Sequence, residues 1–184
     1  AANGEIPARD RIRRDASSDL AKDAANGGAR RPLHWPLEFP EALQRENGGF
    51  DAFVSNPPFM GGRKISSKIG ESYARAIKQI VLDGDKGSIN LVAYFLIRSL
   101  FLSRKMGTLG LIATDSITES DTRKVALVKA FETATAFRAL SSFPWPGTAG
   151  VHVSVLCLIK GKWDGWVALD GKTVASISTM LQPG

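Results

Sequence analysis

The sequence predicts an α/β fold, a sheet of strands with flanking helices, on three observations. Short apolar runs such as "FDAFVS", which ends at Asn56-Pro57, "LGLIAT", and "VSVLCLIK", which ends at Gly161, read as buried strands. Segments of helical spacing, about ten residues or longer, lie between most of these runs and imply parallel pairing through crossover connections. The 184 residues, 43% of them hydrophobic, suffice for one core and are few for two.

Residues 1–30 mix Ala, Gly, Asp and Arg with almost no large apolar side chain, so they read as a flexible tail or linker. A short helix around Ser18 to Ala25, capped by Ser17 or Ser18, is the one element this stretch suggests. From Arg31 the composition is that of a folded domain, and residues 31–184 are assigned to it. Phe50 to Ser55 is a short strand ending at Asn56-Pro57-Pro58. Glu71 to Leu82 has helical spacing, and Ser88 to Lys105 reads as a strongly apolar helix with Ser88 as its cap. Tyr94 and Phe95 fall in the apolar stripe of that helix and read as core. Leu109 to Thr114 forms a buried strand. "TRKVALVKAFETA" is an amphipathic helix with Val125, Leu127, Val128 and Phe131 on its apolar side. Phe137 to Phe143 and Val151 to Lys160 are strands, the second running into a turn at Gly161.

Cys157 is the single cysteine and sits in an apolar run, so it reads as a small core residue without an internal disulfide partner, compatible with a reducing compartment. His34 and His152 are isolated from any Cys or second His, and no metal-ligand spacing is present. No stretch approaches the about eighteen uninterrupted apolar residues of a membrane span, and an N-terminus rich in Arg and Asp is no signal peptide. The expectation is a cytoplasmic protein that does not enter membranes. A formal charge of +6 and a pI near 9.7 suit a polyanion partner, although Arg9, Arg11, Arg13, Arg14, Arg30 and Arg31 supply much of that charge.

Chemistry is suggested most strongly by Asn56-Pro57-Pro58-Phe59. In α/β sheets ligands bind beyond the carboxyl ends of the strands, where this tetrapeptide and "TDS", Thr114 to Ser116, both fall. The two prolines fix φ and remove two donors, leaving carbonyls as rigid acceptors. The Asn56 amide adds another acceptor beside them. Two acceptors and a flat ring suit a planar base with an exocyclic amino group, which donates two hydrogen bonds while the ring stacks on Phe59. Arg63, Lys64 and Lys68 follow Gly62, either meeting DNA phosphates or lying on a solvated loop.

Asn56-Pro57-Pro58-Phe59 resembles motif IV, (Asp/Asn)-Pro-Pro-(Tyr/Phe/Trp), of S-adenosylmethionine-dependent methyltransferases that act on the amino group of DNA adenine. "HWPLEFPEAL", "NPPFMGGRK", "INLVAYFLIRSLFL", "GTLGLIATDSI" and "SFPWPGTAGVHVSVLCLIKG", in this order, resemble the large restriction-modification methyltransferases of the type IIG, BREX and DISARM kind. The resemblance implies a partial Rossmann-like methyltransferase sheet, a mixed sheet forming the catalytic half of the fold, in a prokaryotic restriction-modification or phage-defence enzyme. It implies Asn56 and Pro57 as acceptors for the adenine amine, Pro58 as their rigid neighbour, and Phe59 stacked on a flipped base. It also implies a second aromatic before the last long strand. Trp145 is favoured over Phe143 there, the alternative being an aromatic packed in a turn. DNA is the implied partner and S-adenosylmethionine the implied cofactor; Cys157 has no catalytic role because no covalent intermediate is needed.

One part of the family's pattern is missing from the sequence. No strand with a glycine-rich cofactor loop and a following acidic residue precedes Asn56. "IVLDGDKG", Ile80 to Gly87, is the alternative cofactor loop, provided that Ile80 to Leu82 is a strand. Cofactor-binding residues therefore remain unassigned. The expectation is a fragment: the catalytic half of a DNA adenine-N6 methyltransferase, inactive alone, with the N-terminal cofactor half as a missing partner and no C-terminal DNA-recognition region. The competing expectation is a non-catalytic nucleic-acid-binding or assembly module that keeps the sheet. Loss of the first strands predicts Phe50 to Ser55 as a bare sheet edge. Homo-oligomerisation is then expected through that edge and part of Arg31 to Leu43.

Overall fold

The computed structural model describes residues 33–84, 87–146 and 150–184. Two short helices, α1 (Trp35–Glu38) and α2 (Pro40–Leu43), precede strand β1 (Phe50–Ser55). Helices α3 (Gly62–Ile69), α4 (Glu71–Leu82) and α5 (Leu91–Leu102) lead to β2 (Ser103–Thr114). A 3₁₀ turn (Asp115–Thr118), α6 (Ser120–Arg123), a π turn (Lys124–Val128) and α7 (Lys129–Thr133) lead to β3 (Ala134–Pro144). Strands β4 (His152–Lys160), β5 (Val167–Leu169) and β6 (Lys172–Val174) follow. The possible helix at Ser18 to Ala25 lies outside the described residues. Among the described residues no helix is long and apolar enough to cross a membrane.

The six strands form one mixed sheet in the order β1-β2-β4-β3-β5-β6. β1 and β2 pair in parallel through three intervening helices, as the crossover argument predicts. The sheet is mixed, as the resemblance implies: β4 is antiparallel to both β2 and β3. Seven residues separate β3 from β4, fewer than the dozen or so that a parallel crossover needs, so the two strands pair as an antiparallel hairpin. β5 is parallel to β3, and β6 turns back on β5. Asp170 fastens this small hairpin by accepting from the backbone N–H and the hydroxyl of Ser141, each at 2.7 Å.

The core lies on one face of the sheet. Leu109, Leu111 and Ala113 of β2 and Leu156 and Leu158 of β4 meet Ala93, Leu96 and Leu100 of α5 and Leu127 of the π turn. Each fully buried leucine here contributes about 2 kcal/mol through removal of apolar surface from water. Trp35, Phe39, Phe50 and Phe53 extend this layer over β1, with ring centroids 5.2 to 6.2 Å apart. A register shift between Phe50 and Ala52 turns Phe50 to the same side as Phe53. On the opposite face the register sets Val54 beside Gly110 and Cys157, and Ile112 beside Val155 and Leu140. Val54 is 92% exposed and Leu140 38% exposed, while Ile112, Val155 and Cys157 are half-buried. This apolar face and the free edge of β1 have no cover among the described residues.

Several elements depart from the sequence reading. Helix α5 begins after Asn90, not at Ser88, and ends at Leu102. Ser103 leaves the helix in extended conformation; its hydroxyl caps the Ser99 carbonyl at 2.8 Å, and the Lys160 ammonium donates to the Ser103 carbonyl at 2.7 Å. Desolvation pushes the Lys160 ammonium below its ordinary pKa. Arg104 and Lys105 therefore belong to β2, which interrupts its pairing between Ser103 and Thr108 with Met106 at φ +61°. Phe95 projects outward at 40% exposure, whereas Tyr94 is in the core, where burial raises its phenol pKa. Cys157 is half-buried, and burial raises its thiol pKa against the opposing effect of Arg138. The segment after Gly161 contributes to the fold: Ile177 and Leu181 are buried in the core, and Arg123 reaches Thr179.

Candidate functional site

Parallel pairing brings the carboxyl ends of β1 and β2 side by side, with Ser55 opposite Leu111. Asn56 leaves β1 directly into Pro57-Pro58, and neither proline can extend the ladder. Pro57 is buried and wedges the turn against the fold, while Asn56, Pro58 and Phe59 are exposed. The sequence-predicted acceptor and the sequence-predicted ring thus both reach solvent at the end of one strand.

Trp145 comes to this end of the sheet from the loop after β3, anchored by its N–H to the Val151 carbonyl at 2.9 Å. Its ring meets Phe59 edge to face, with centroids 6.2 Å apart and planes at 89°. The two aromatics proposed from sequence to enclose one base are therefore neighbours in space. A base stacked between parallel rings needs about 7 Å, two van der Waals contacts, so Trp145 must turn by a rotamer change to admit one. Phe143 is half-buried in the β3–β4 ladder opposite Val153. Its ring makes no aromatic contact with Phe59.

Beside Phe59 lies a depression of about 550 Å³, lined by Gly62, Arg63, Lys64, Lys68 and Asn90 among others. All of its charged lining residues are basic. His34 and His152 lie elsewhere, and no group of three or more potential metal ligands occurs among the described residues. The alternative cofactor loop fails on its own premise, because Ile80 to Leu82 are the last turn of α4. Asp83 at φ +52° and Gly84 at φ +75° are the left-handed stop of that helix, whose end is closed by Gly84 N–H bonding to Lys78.

Sequence reasoning missed the polar residues that hold this end of the sheet together. Asn90 accepts from Gly62 N–H at 3.1 Å and donates to the Ser116 hydroxyl at 2.7 Å. Ser116 in turn meets the Thr114 hydroxyl at 2.6 Å. Asp115 accepts from Ser142 at 2.6 Å and from Ser154 at 3.1 Å, tying the end of β2 to β3 and β4. The position of Thr114 to Ser116 was legible as the end of a strand. Asn90 fell inside the helix read as Ser88 to Lys105, where nothing marks it as a residue of the site.

The model of the Eco57I restriction-modification methylase family matches residues 7–143. No curated protein sequence matches the chain. Among solved structures, the type IIL restriction-modification enzyme MmeI in complex with DNA is similar with a TM-score of 0.63 and 17% identity. That match covers 95% of this chain and 26% of the MmeI chain, so this chain spans about a quarter of its length. The likeness shows a shared fold. A protein from Listeria monocytogenes, assigned in its structure's description to the class I S-adenosylmethionine-dependent methyltransferases, matches 66% of this chain and 36% of its own at 14% identity and a TM-score of 0.48.

Gly62 tests how tightly this loop is seated. A Cβ there would lie 2.7 Å from the backbone of Ser88 and Ile89, whereas one at Gly61 would find its nearest neighbour at 3.7 Å. Gly62→Ala is expected to cost about 1–3 kcal/mol in urea unfolding, as overpacking against backbone does, and Gly61→Ala markedly less. Equal stability of the two variants would show that the loop is not seated on Ser88 and Ile89.

Proposed function

We propose that this chain, which belongs to the Eco57I restriction-modification methylase family, is the catalytic half of a DNA methyltransferase that modifies the N6 amine of a flipped adenine. The observation carrying this reading is the convergence of Asn56-Pro57-Pro58-Phe59 with Trp145 at the carboxyl end of the parallel β1–β2 pair. Asn56 and the Pro57 carbonyl accept the two amine protons, which localises the nitrogen lone pair otherwise delocalised into the ring. Pro58 keeps these acceptors rigid, and Phe59 stacks on the base with Trp145 on its other side, Phe143 being the less favoured second ring. Arg63 and Lys64, at the rim of the basic depression, meet the phosphates of the flipped strand.

S-adenosylmethionine supplies the methyl group in this reading. Its site is not made by the described residues. Gly61-Gly62 joins a strand to a helix, yet the acidic residue that binds a ribose follows such a loop by about 20 residues, and here that stretch runs into helix α4, Glu71–Leu82, with no second strand to present one. The cofactor therefore belongs with protein that covers the free edge of β1 and the apolar face of Val54, Ile112, Val155 and Leu140. This division assigns residues 31–184 to the catalytic part and 1–30 to a linking segment.

In the complete enzyme, Asn56→Ala is expected to lower methyl transfer at least about a hundredfold while DNA affinity is retained. Radiolabelled methyl incorporation and a DNA-binding titration read the two quantities. Normal transfer with lost binding would make Asn56 a docking residue and place the chemistry elsewhere.

The chain by itself should pair β1 with β1 of a second copy, because an apolar edge whose one charge, Asp51, is already paired with Arg45 and Arg104 accepts whatever strand is available. Light scattering should then give a dimer or larger species, and Val54→Lys should shift it toward monomer. A wild-type monomer at high concentration that stays monomeric after removal of residues 1–30 would contradict self-association through this edge.

A further inference from the structure

We infer that Asn90 is the positioning residue of the site: it holds the loop after Asn56-Pro57-Pro58-Phe59 in register with the end of β2. The inference rests on the reading of that tetrapeptide as the amine-binding site and names what fixes its geometry. Asn90 touches three separate elements. Its side-chain oxygen accepts from Gly62 N–H at 3.1 Å, its side-chain nitrogen donates to Ser116 at 2.7 Å, and its backbone N–H donates to the Thr122 hydroxyl at 3.2 Å. Thr122 is itself buried, which gives the third contact a fixed base in α6. Next to it, Leu91 N–H donates to the Met60 carbonyl at 2.9 Å. The three residues after Phe59 are thus held at both ends against residues 90 and 91.

An ordinary helix cap would turn its side chain back to its own helix, and Asn90 makes no such bond although it occupies the cap position of α5. Its amide is spent instead on Gly62, at the start of α3, and on Ser116, just past the end of β2. The end of β1 carries the proposed chemistry at Asn56, and Ser116 after β2 is the fixed point its loop is held against. A displacement of about 1 Å between reacting groups is enough to cost about a hundredfold in rate, so a contact that sets their separation acts on turnover more than on affinity.

Asn90→Ala removes the two side-chain bonds and keeps the backbone bonds to Thr122 and Met60, so the domain stays folded while the loop is freed. Asn90→Asp can rebuild both links. One carboxylate oxygen accepts from Gly62 N–H, and the other accepts from Ser116, whose own oxygen is then free to accept from Thr114.

The test uses the complete enzyme, with duplex DNA as substrate and amide hydrogen exchange at Gly62 as a readout independent of activity. Asn90→Ala is expected to lower kcat about tenfold to a hundredfold with KM for DNA changed less than about threefold, and Asn90→Asp to recover most of the loss. Exchange at Gly62 should quicken by at least about tenfold in Asn90→Ala and return in Asn90→Asp. Wild-type kcat in Asn90→Ala, unchanged Gly62 exchange, or an aspartate as impaired as the alanine would overturn the positioning role. If Asn56→Ala leaves transfer intact, the reading of the site fails, whereas the Gly62 exchange result still decides the contact itself.

Discussion

Parallel pairing of β1 with β2 is the constraint on which the rest of the molecule depends. It forces the chain to return to the same end of the sheet through α3, α4 and α5, and it sets the two carboxyl ends next to each other. Everything proposed to touch the adenine or to hold its binding loop stands at or near those ends. The Asn-Pro-Pro turn exploits this position: a strand that stops abruptly leaves rigid acceptors at its tip. The antiparallel insertion of β4 completes the arrangement, because the β3–β4 hairpin carries Trp145 to the same end. Asp115 then fixes that hairpin to β2 through Ser142 and Ser154.

The two faces of the sheet are unequal, and the inequality bears on function. One face is sealed by helices over Leu109, Leu111, Leu156 and Leu158. The other presents Val54, Ile112, Val155 and Leu140 beneath no second layer among the described residues, and β1 offers a free edge beside it. An α/β sheet is stable in water with both faces covered. The chain thus carries the proposed amine-binding end on a scaffold whose remaining apolar surface suits a second structural unit.

Much of this was legible in the sequence, and the misses have physical causes. The strand before Asn56, helix α4 and the amphipathic stretch from Thr122 announce themselves by period and by proline or glycine punctuation. The end of α5 does not: "FLSRKMG" holds no breaker before Gly107, and helix-favouring Arg and Lys occupy the start of β2. The helix can stop there because the Ser103 hydroxyl donates to the Ser99 carbonyl and the Lys160 ammonium to that of Phe101, and Lys160 is distant in sequence. Phe95 was misassigned because an almost uniformly apolar helix carries no phase, so burial falls to Tyr94 by packing alone. Trp145 could be picked out by position, while Asn90 could not, since its partners Gly62, Ser116 and Thr122 meet only when the sheet forms.

The account's central claim is that the Asn56-Pro57 acceptors and the Phe59–Trp145 pair are built for an adenine amine. DNA modified by the complete enzyme, digested to nucleosides and analysed by mass spectrometry, tests it most directly. The account predicts N6-methyladenine as the product. Finding N4-methylcytosine or 5-methylcytosine in its place would contradict it.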